Sequence, residues 1–318
     1  MKYVKYSTLI LALLVFSQWG CRGIDDFIRN SSNTTQGKCV LSLSENTTMA
    51  QRLVPIDTGI TRGLAKADFT EPQYGIDMTY VKGGTFTMGC TPEQESVCGD
   101  REKPAHEVTL SDFYIGRYEV TQAQWNAVMG ESNNPSEFKG DDLPVTNVSW
   151  YEAQVFIIKL SMKTGKNYRL PTDAEWEYAA RGGNKSKGYK YSGSNDINEA
   201  AWYAENSGNM PHRVGTKIAN ELGIYDMSGN VWEWVSDLSM LGLPNYSGDA
   251  QTDPQYPEGN FPLIRGGGWN LHEASADRPT YSSRVSFHTT NTPVWRSNRL
   301  GFRLALDADM PIGIIKNK

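Results

Sequence analysis

The sequence predicts an α+β fold, on three observations made along the chain. Alternating apolar residues between Met78 and Tyr118 indicate strands. Helix-start signals follow between Thr121 and Arg181, and after Gly182 the chain is rich in Gly, Asn, Ser and Pro. Strands that precede helices, instead of alternating with them, favour separate α and β elements over a parallel α/β sheet.

The strand region contains two alternating segments. The first runs from Met78 to Gly89 and alternates on both sides of Gly83-Gly84, which predicts two strands that turn at the glycine pair. The second runs from Val108 to Tyr118.

Three helices are predicted from capping boxes, in which a hydroxyl and a carboxylate or amide satisfy the free N–H groups of the first turn. The pairs are Thr121 with Gln124, Ser149 with Glu152, and Thr172 with Glu175. The first helix should end at Gly130 and the second at Gly165. The second presents one apolar stripe, formed by Ala153, Phe156, Ile157 and Leu160.

The first 21 residues have the pattern of an export signal. Lys2 and Lys5 precede an apolar stretch that is too short to span a bilayer, and Cys21 follows a small residue. This resembles a lipoprotein signal, in which Cys21 carries the lipid; the alternative is a plain secretory signal cleaved nearby. Asp25-Asp26 resembles the acidic export tag on surface lipoproteins of Bacteroidetes-type bacteria. The expected location is therefore the outer membrane, at the cell surface.

Residues 22–77 are interpreted as a tether, with a short strand near residues 40–43. Cys90 and Cys98 lie eight apart in a polar loop, and an exported protein meets an oxidising compartment, so a disulfide is expected there. Two free thiols are the alternative, and Cys39 has no assigned partner. The net charge of -5, without a basic stripe, argues against nucleic acid as a partner.

Six motifs in order resemble the formylglycine-generating enzyme (sulfatase-modifying factor) family: residues 83–89, 103–110, 169–183, 229–234, 265–270 and 300–303. The resemblance implies one domain over 78–318, of C-type-lectin-like topology with little regular secondary structure. Trp176, Trp232 and Trp234 of these motifs are expected in the core, and Arg169 and Arg303 are expected to brace it.

The chemistry of this family needs two cysteines, five apart, that bind copper after the Arg-Gly-Gly turn. Counting forward from Trp269 places Leu271 and Ala276 there, and counting back from Pro293 places Ser275 and Thr280. No cysteine follows Cys98 in the sequence, so we predict no catalytic residues and no copper. Two histidines and two carboxylates of the same stretch could build another metal centre only if they converge: His272, Glu273, Asp277 and His288.

The resemblance also implies a structural calcium site. Its ligands fall on the side chains of Asp226 and Glu233 and on the carbonyls of Gly229 and Val231, and an additional carboxylate favours a hard cation. The alternative is that Asp226 caps a turn and Glu233 pairs with an arginine. A second calcium site of the family lacks its acidic turn here.

The segment 271–299 is the predicted ligand-binding face, because it mixes aromatic and basic residues without periodicity. Its candidate residues are His272, Tyr281, Phe287, His288, Trp295 and Arg296. The sequence therefore predicts a non-catalytic surface lipoprotein that binds a ligand or an envelope partner. It could be a diversified binding protein or a secretion or motility component. The alternatives are a metal-dependent oxidase of the family and a purely structural envelope component.

Overall fold

The computed structural model describes residues 66–240, 248–270 and 280–308, all within one compact unit that starts at Thr58. The predicted signal segment with Cys21 and the predicted strand near residues 40–43 lie outside the described residues. Strand β1 (Phe69–Glu71) and the start of β2 (Ile76–Val81) precede residue 78. The folded domain therefore begins ahead of the boundary that the sequence analysis sets for the tether.

Three sheets are present among the described residues. Beyond β1 and β2, the strands are β3 (Gly84–Met88), β4 (His106–Leu110), β5 (Phe113–Gly116), β6 (Trp232–Ser239), β7 (Gln251–Thr252), β8 (Phe261–Arg265), β9 (His288–Thr290), β10 (Leu300–Phe302) and β11 (Ala305–Asp307). The strand orders are β1-β2-β5-β11, β10-β6-β8-β9 and β3-β4-β7. The first sheet is antiparallel throughout, and β10 pairs with β6 in parallel.

Strand β2 ends just before the glycine pair and β3 begins at Gly84, close to the predicted positions, but the two strands do not pair with each other. Strand β2 pairs with β5, whereas β3 pairs with β4 in another sheet. A Cβ on Gly83 would lie 2.2 Å from the Leu110 carbonyl oxygen, so only glycine allows the chain to pass so close to this backbone. The glycine pair thus moves the chain between sheets and does not close a hairpin.

The three predicted helices are confirmed as α1 (Gln122–Met129), α2 (Trp150–Thr164) and α3 (Asp173–Ala180), each with its complete capping box. Gly165 ends α2 in the left-handed region, with φ of 70°. A fourth, unpredicted helix α4 (Ile197–Ala200) is capped by Asp196. In the part of the chain that the structure describes, no helix has the length and apolar character needed to cross a membrane.

Among the described residues, two large apolar cores hold most of the elements together. The main core joins α1 and α2 to the first sheet and to Trp232 and Trp234 of β6. The second core lies around α3, β3 and β4 and contains Trp176. All three tryptophans are at most 1% exposed, which confirms that they are core residues. Helices and mainly antiparallel sheets together confirm the α+β class.

Candidate functional site

Strand β8 ends at Arg265, just ahead of a glycine turn, and the Arg265 guanidinium is fully buried. Its Nε donates to Asp173 Oδ1 at 2.5 Å, and its Nη1 donates to Glu177 Oε2 at 3.0 Å. Arg181 pairs with the other oxygen of Glu177 at 2.8 Å. We call these four residues the Arg265 cluster. Arg265 faces both carboxylates of the cluster, and Arg181 is shared between Glu177 and half-buried Glu93. The first residue of the family motif therefore braces the fold.

The glycines of this turn permit a close approach of the following segment. A Cβ on Gly267, where φ is 76°, would lie 2.9 Å from Ser283 Oγ and 3.0 Å from the Ser282 backbone. Trp269 is buried, and its Nε1 donates to the Asn298 carbonyl oxygen at 3.1 Å. The turn therefore packs at Gly267 against residues 282–283, and its Trp269 is held by Asn298.

The positions expected for the copper-binding cysteines are only partly described. Leu271, Ser275 and Ala276 lie outside the described residues, as does His272. Thr280 is described and precedes a 3₁₀ turn over Tyr281–Ser283.

Cys90 and Cys98 form a disulfide, and the fold brings this bridge against the same segment. Arg284 Nη1 lies 3.8 Å from Cys98 Sγ, although 186 residues separate them. Tyr281 stacks on the Arg284 guanidinium at 4.3 Å. The disulfide loop thus packs beside residues 281–284. This contact could not be predicted from the sequence, because the two segments are far apart in the chain.

Buried Glu102 connects the disulfide loop to this segment. It accepts hydrogen bonds from Arg284 Nη2 at 2.8 Å and from Ser286 Oγ at 2.6 Å. Burial alone would raise the pKa of Glu102, but the hydrogen bond from Arg284 and the charge of Arg284 bring it below its ordinary value. Glu102 is therefore an ionised, fully paired group that fixes residues 284–286.

The predicted binding residues differ in how far solvent reaches them. Arg296 is exposed and pairs with Glu152 at 2.8 Å. Tyr281 is half-buried, and its ring lies 4.9 Å from that of Phe287. Phe287 and Trp295 are half-buried and pack against the main core. These two contribute to the fold as well as to the surface.

His288 does not belong to an exposed face. It is 1% exposed, its Nε2 lies 2.8 Å from the Arg101 carbonyl oxygen, and its Nδ1 lies 3.6 Å from Asp173 Oδ2. Burial lowers the pKa of His288, and the charge of Asp173 opposes this only in part. Including His288 in the binding face is wrong, because strand β9 directs its side chain into the core.

The predicted calcium loop begins at Asp226, which is 2% exposed and has a φ of 57°. Its Oδ2 accepts from the Gly215 N–H at 2.6 Å. Its Oδ1 is buried and has no hydrogen-bond partner among the described residues. A buried carboxylate oxygen without a donor is costly, and a cation is one way to satisfy it.

Glu233 is placed differently from the expectation. Both of its oxygens accept from Arg303, at 2.6 and 2.7 Å, and Oε2 also accepts from Trp176 Nε1 at 2.8 Å. Pairing of Glu233 with an arginine, the alternative in the sequence analysis, is thus present. Its oxygens already have donors, so they have less capacity for a cation than the Oδ1 of Asp226.

Glu119 is a third buried carboxylate that the sequence analysis missed. It accepts from Asn230 Nδ2 at 2.7 Å and from the Val231 N–H at 3.2 Å. Its signal was available in the sequence as a charged residue between the apolar end of one strand region and the first capped helix. We call Glu119, Asp226, Glu233 and Arg303 the Arg303 cluster.

The Arg303 cluster has three carboxylates for one guanidinium. Burial raises the pKa of Asp226 to about 6, with a further contribution from Glu233. Burial, Asp226 and Glu233 raise the pKa of Glu119 well above its ordinary value. In the described ranges no three His, Cys, Asp or Glu side chains are placed to hold a metal ion by themselves. The cluster fits a hard cation at Asp226 only with help from backbone carbonyls.

A family model described as "Sulfatase-modifying factor enzyme 1-like domain" matches residues 65–308. Chaperone protein LppX of Paenibacillus barcinonensis is 39% identical over 243 residues, covering 61% of this chain and 78% of LppX. A formylglycine-generating enzyme of Streptomyces coelicolor is 30% identical over 296 residues, covering 73% of this chain and 89% of the enzyme. The solved structure of Treponema denticola variable protein 1 has a TM-score of 0.63 at 31% identity, covering 76% and 98% of the two chains.

Proposed function

This chain belongs to the sulfatase-modifying factor enzyme 1-like domain family, and from that premise we propose that it is a non-catalytic binding protein. In this proposal Cys21 is acylated and anchors the protein to the outer membrane, where the domain meets a surface ligand or an envelope partner. One acyl chain gives only reversible membrane binding, whereas the several acyl chains of a lipoprotein cysteine hold the protein stably. Replacing Cys21 with Ala should release the protein into the soluble fraction.

The proposal rests on the cysteines: the sequence has none after Cys98, and Cys90 and Cys98 form a disulfide. The family reaction needs thiolates that hold Cu(I), and the sequence contains no cysteine after Cys98. Cys90 and Cys98 are oxidised to a disulfide, which does not bind Cu(I) as thiolates do. Thr280, at one of the positions expected for a cysteine, offers only a hard hydroxyl oxygen.

The decisive test is turnover of a sulfatase-type Cys-x-Pro-x-Arg peptide with copper and dioxygen supplied. The purified protein should form no formylglycine, while the Streptomyces coelicolor enzyme under the same conditions serves as the positive control. Copper-dependent formation of formylglycine by this chain would overturn the non-catalytic proposal.

A binding role is supported by the names of two similar proteins, one a chaperone and one a variable protein. The surface that we assign to binding is carried by Tyr281 and Arg296, with the exposed edges of Phe287 and Trp295. Crosslinking on intact cells should yield a partner adduct that Tyr281→Ala with Arg296→Ala removes. Arg213→Ala is the matched control, because Arg213 is an exposed arginine paired with Asp142 at 2.8 Å.

Diversification of residues 271–299 is a second candidate, favoured by the similarity to a protein named as variable. A near-copy of the 3′ end of the gene beside a reverse transcriptase would support it. A genome without such a copy would remove it while leaving the binding proposal intact.

Calcium is proposed as a structural ion of the Arg303 cluster. Asp226 supplies the side-chain oxygen without a donor, and the carbonyls of Gly229 and Val231 would complete the set together with Glu233. The ion would neutralise the excess of carboxylates and stabilise the folded state, with no part in a reaction.

A further inference from the structure

Helix α2 carries a second apolar stripe on the side away from the core. Tyr151, Ile158 and Met162 are 48%, 56% and 78% exposed, and half-buried Val155 lies between them. Spacings of four, three and four residues place these side chains along one side of a helix. Contiguous exposed apolar surface on a soluble domain marks an interaction site more often than scattered residues do.

The patch continues beyond the helix. The Trp150 N–H donates to the Pro293 carbonyl oxygen at 3.1 Å, which brings Val294, 61% exposed, beside the start of α2. We define the α2 face as Tyr151, Val155, Ile158, Met162 and Val294.

Lysines border this face. Lys159 and Lys163 are exposed and each directly follows a residue of the stripe, and Lys166 comes just after the helix. The chain as a whole has a net charge of -5, so this basic row is a local feature. Glu152, the acidic residue of α2, is already paired with Arg296 at 2.8 Å.

The first described strand lies near the C-terminal end of α2, where Lys166 is placed. Lys166 Nζ lies 6.0 Å from the centroid of the Phe69 ring, and Phe69 begins the first strand. The chain that leads back to Cys21 therefore enters the domain beside the lysines of the α2 face.

We propose that the α2 face docks on an anionic phospholipid surface. Aliphatic and tyrosine side chains flanked by lysines are suited to the boundary between headgroups and acyl chains. Each lysine near an anionic surface strengthens such contact roughly fivefold. The docking rests on the lipid anchor proposed above, which keeps the domain at the membrane so that weak contact is sufficient.

A second copy of the chain fits this face less well. Two copies of the α2 face would bring their lysine rows together, and Glu152 is already engaged by Arg296. An anionic membrane instead supplies the opposite charge along the whole row.

The test uses the mature acylated chain in phosphatidylcholine vesicles with and without phosphatidylglycerol. Dilute hydrogen peroxide oxidises accessible methionines, and mass spectrometry follows Met162 together with Met210, an internal reference that is 42% exposed elsewhere. Oxidation of Met162 should slow several-fold when phosphatidylglycerol is present, while the rate at Met210 stays constant.

Replacing Lys159 and Lys163 with Gln should restore the rate at Met162, because docking weakens by roughly tenfold or more. The matched control replaces the exposed Lys185 and Lys187 with Gln and should keep the protection. Equal rates at Met162 in both kinds of vesicle would overturn the proposal. Protection that depends on protein concentration without vesicles would also overturn it, in favour of self-association. Failure of the proposed lipid anchor gives a different result, because the chain would then not sediment with either kind of vesicle.

Discussion

The Arg265 cluster and the Arg303 cluster are both buried in the framework of the family motifs, yet their charges are balanced differently. The Arg265 cluster has two guanidiniums for two carboxylates, and Arg265 also donates to the carbonyls of Val285 and Ser286. The Arg303 cluster has three carboxylates for one guanidinium and leaves Oδ1 of Asp226 without a donor. Each carboxylate of the first cluster faces a guanidinium, although Arg181 is shared with Glu93, whereas the second cluster has more carboxylate charge than its one guanidinium can balance.

The difference shows why a motif arginine is weak evidence for a ligand. Breaking a cluster of paired charges leaves charges stranded in the protein interior, so its members are required for folding whatever the domain binds. An acid-rich cluster responds to pH and to divalent ions, so its members can change stability without any change in packing.

The largest effect should come from Arg265→Ala. The substitution removes the guanidinium that faces Asp173 and Glu177 in the protein interior, and removing one member of a buried pair costs about 3–5 kcal/mol. Urea unfolding measures the loss, with Arg213→Ala in an exposed pair as control. A loss no larger than that of the control would show that the Arg265 cluster does not carry the framework.

Removal of calcium should have the next largest effect. An ion present at about a hundred times its Kd stabilises the fold by about 2.7 kcal/mol, so a chelator should lower the Tm measurably. Asp226→Asn removes the charge of the carboxylate whose Oδ1 has no donor and should abolish this sensitivity, whereas Glu233→Ala should reduce it less. Equal Tm values with and without chelator, after demonstrated removal of calcium, would contradict the site.

Asp237 supplies a pH test of the region beside the Arg265 cluster. Burial, followed by the charge of Asp173, raises the pKa of Asp237 from 3.8 to about 7. As the pH falls below about 7, the folded state therefore takes up a proton that the unfolded state binds only near 3.8. Between about pH 3.8 and 7 the folded state binds this proton and the unfolded state does not. The free energy of unfolding therefore falls as the pH rises through this range, by at most about 1.4 kcal/mol per pH unit.

Asp237→Asn should flatten that slope even if it lowers stability at every pH. The measurement is urea unfolding from pH 5 to 8 with calcium in excess, so that ionisation in the Arg303 cluster changes little. An unaltered slope in the variant would assign the pH dependence to other groups.

The smallest effect should come from Glu119→Gln in calcium-free protein at neutral pH. Burial and the neighbouring carboxylates raise the pKa of Glu119 and so disfavour its charged form. Replacing the carboxyl group with a neutral amide should therefore cost no more than about 1 kcal/mol. Glu177→Gln is the matched substitution in the Arg265 cluster and should cost more, since two arginines lose part of their counter-charge. Equal costs would remove the contrast between the clusters.

Local signals made the helices predictable, whereas sheet partners depend on contacts between distant segments. Capping boxes at Thr121, Ser149 and Thr172 are complete within four residues each, so the sequence contains all of their partners. The parallel pairing of β10 with β6 and the separation of β2 from β3 depend on the packing of the whole domain.

The sequence predicts which residue types occur at the candidate site, but not which of those side chains are buried. The sequence identifies the lack of cysteine after Cys98 directly. It does not reveal that His288 faces Asp173, that Cys98 lies beside Arg284, or that Glu119 joins the loop predicted to bind calcium, because each contact spans more than a hundred residues.

The position of β1 has a mechanical consequence. This three-residue strand pairs with β2 in a hairpin, with Phe69 opposite Met78 at the open end, and the chain toward Cys21 leaves from that end. A pull on an anchored chain would separate the hydrogen bonds of β1 one after another, beginning at Phe69, instead of shearing them together. The ion pairs of Lys66 with Asp112 and of Asp68 with Arg117 lie first in the path of the force. Under a force applied through the N-terminal side of the chain, strand β1 would therefore separate from β2 before the load reached the two cores.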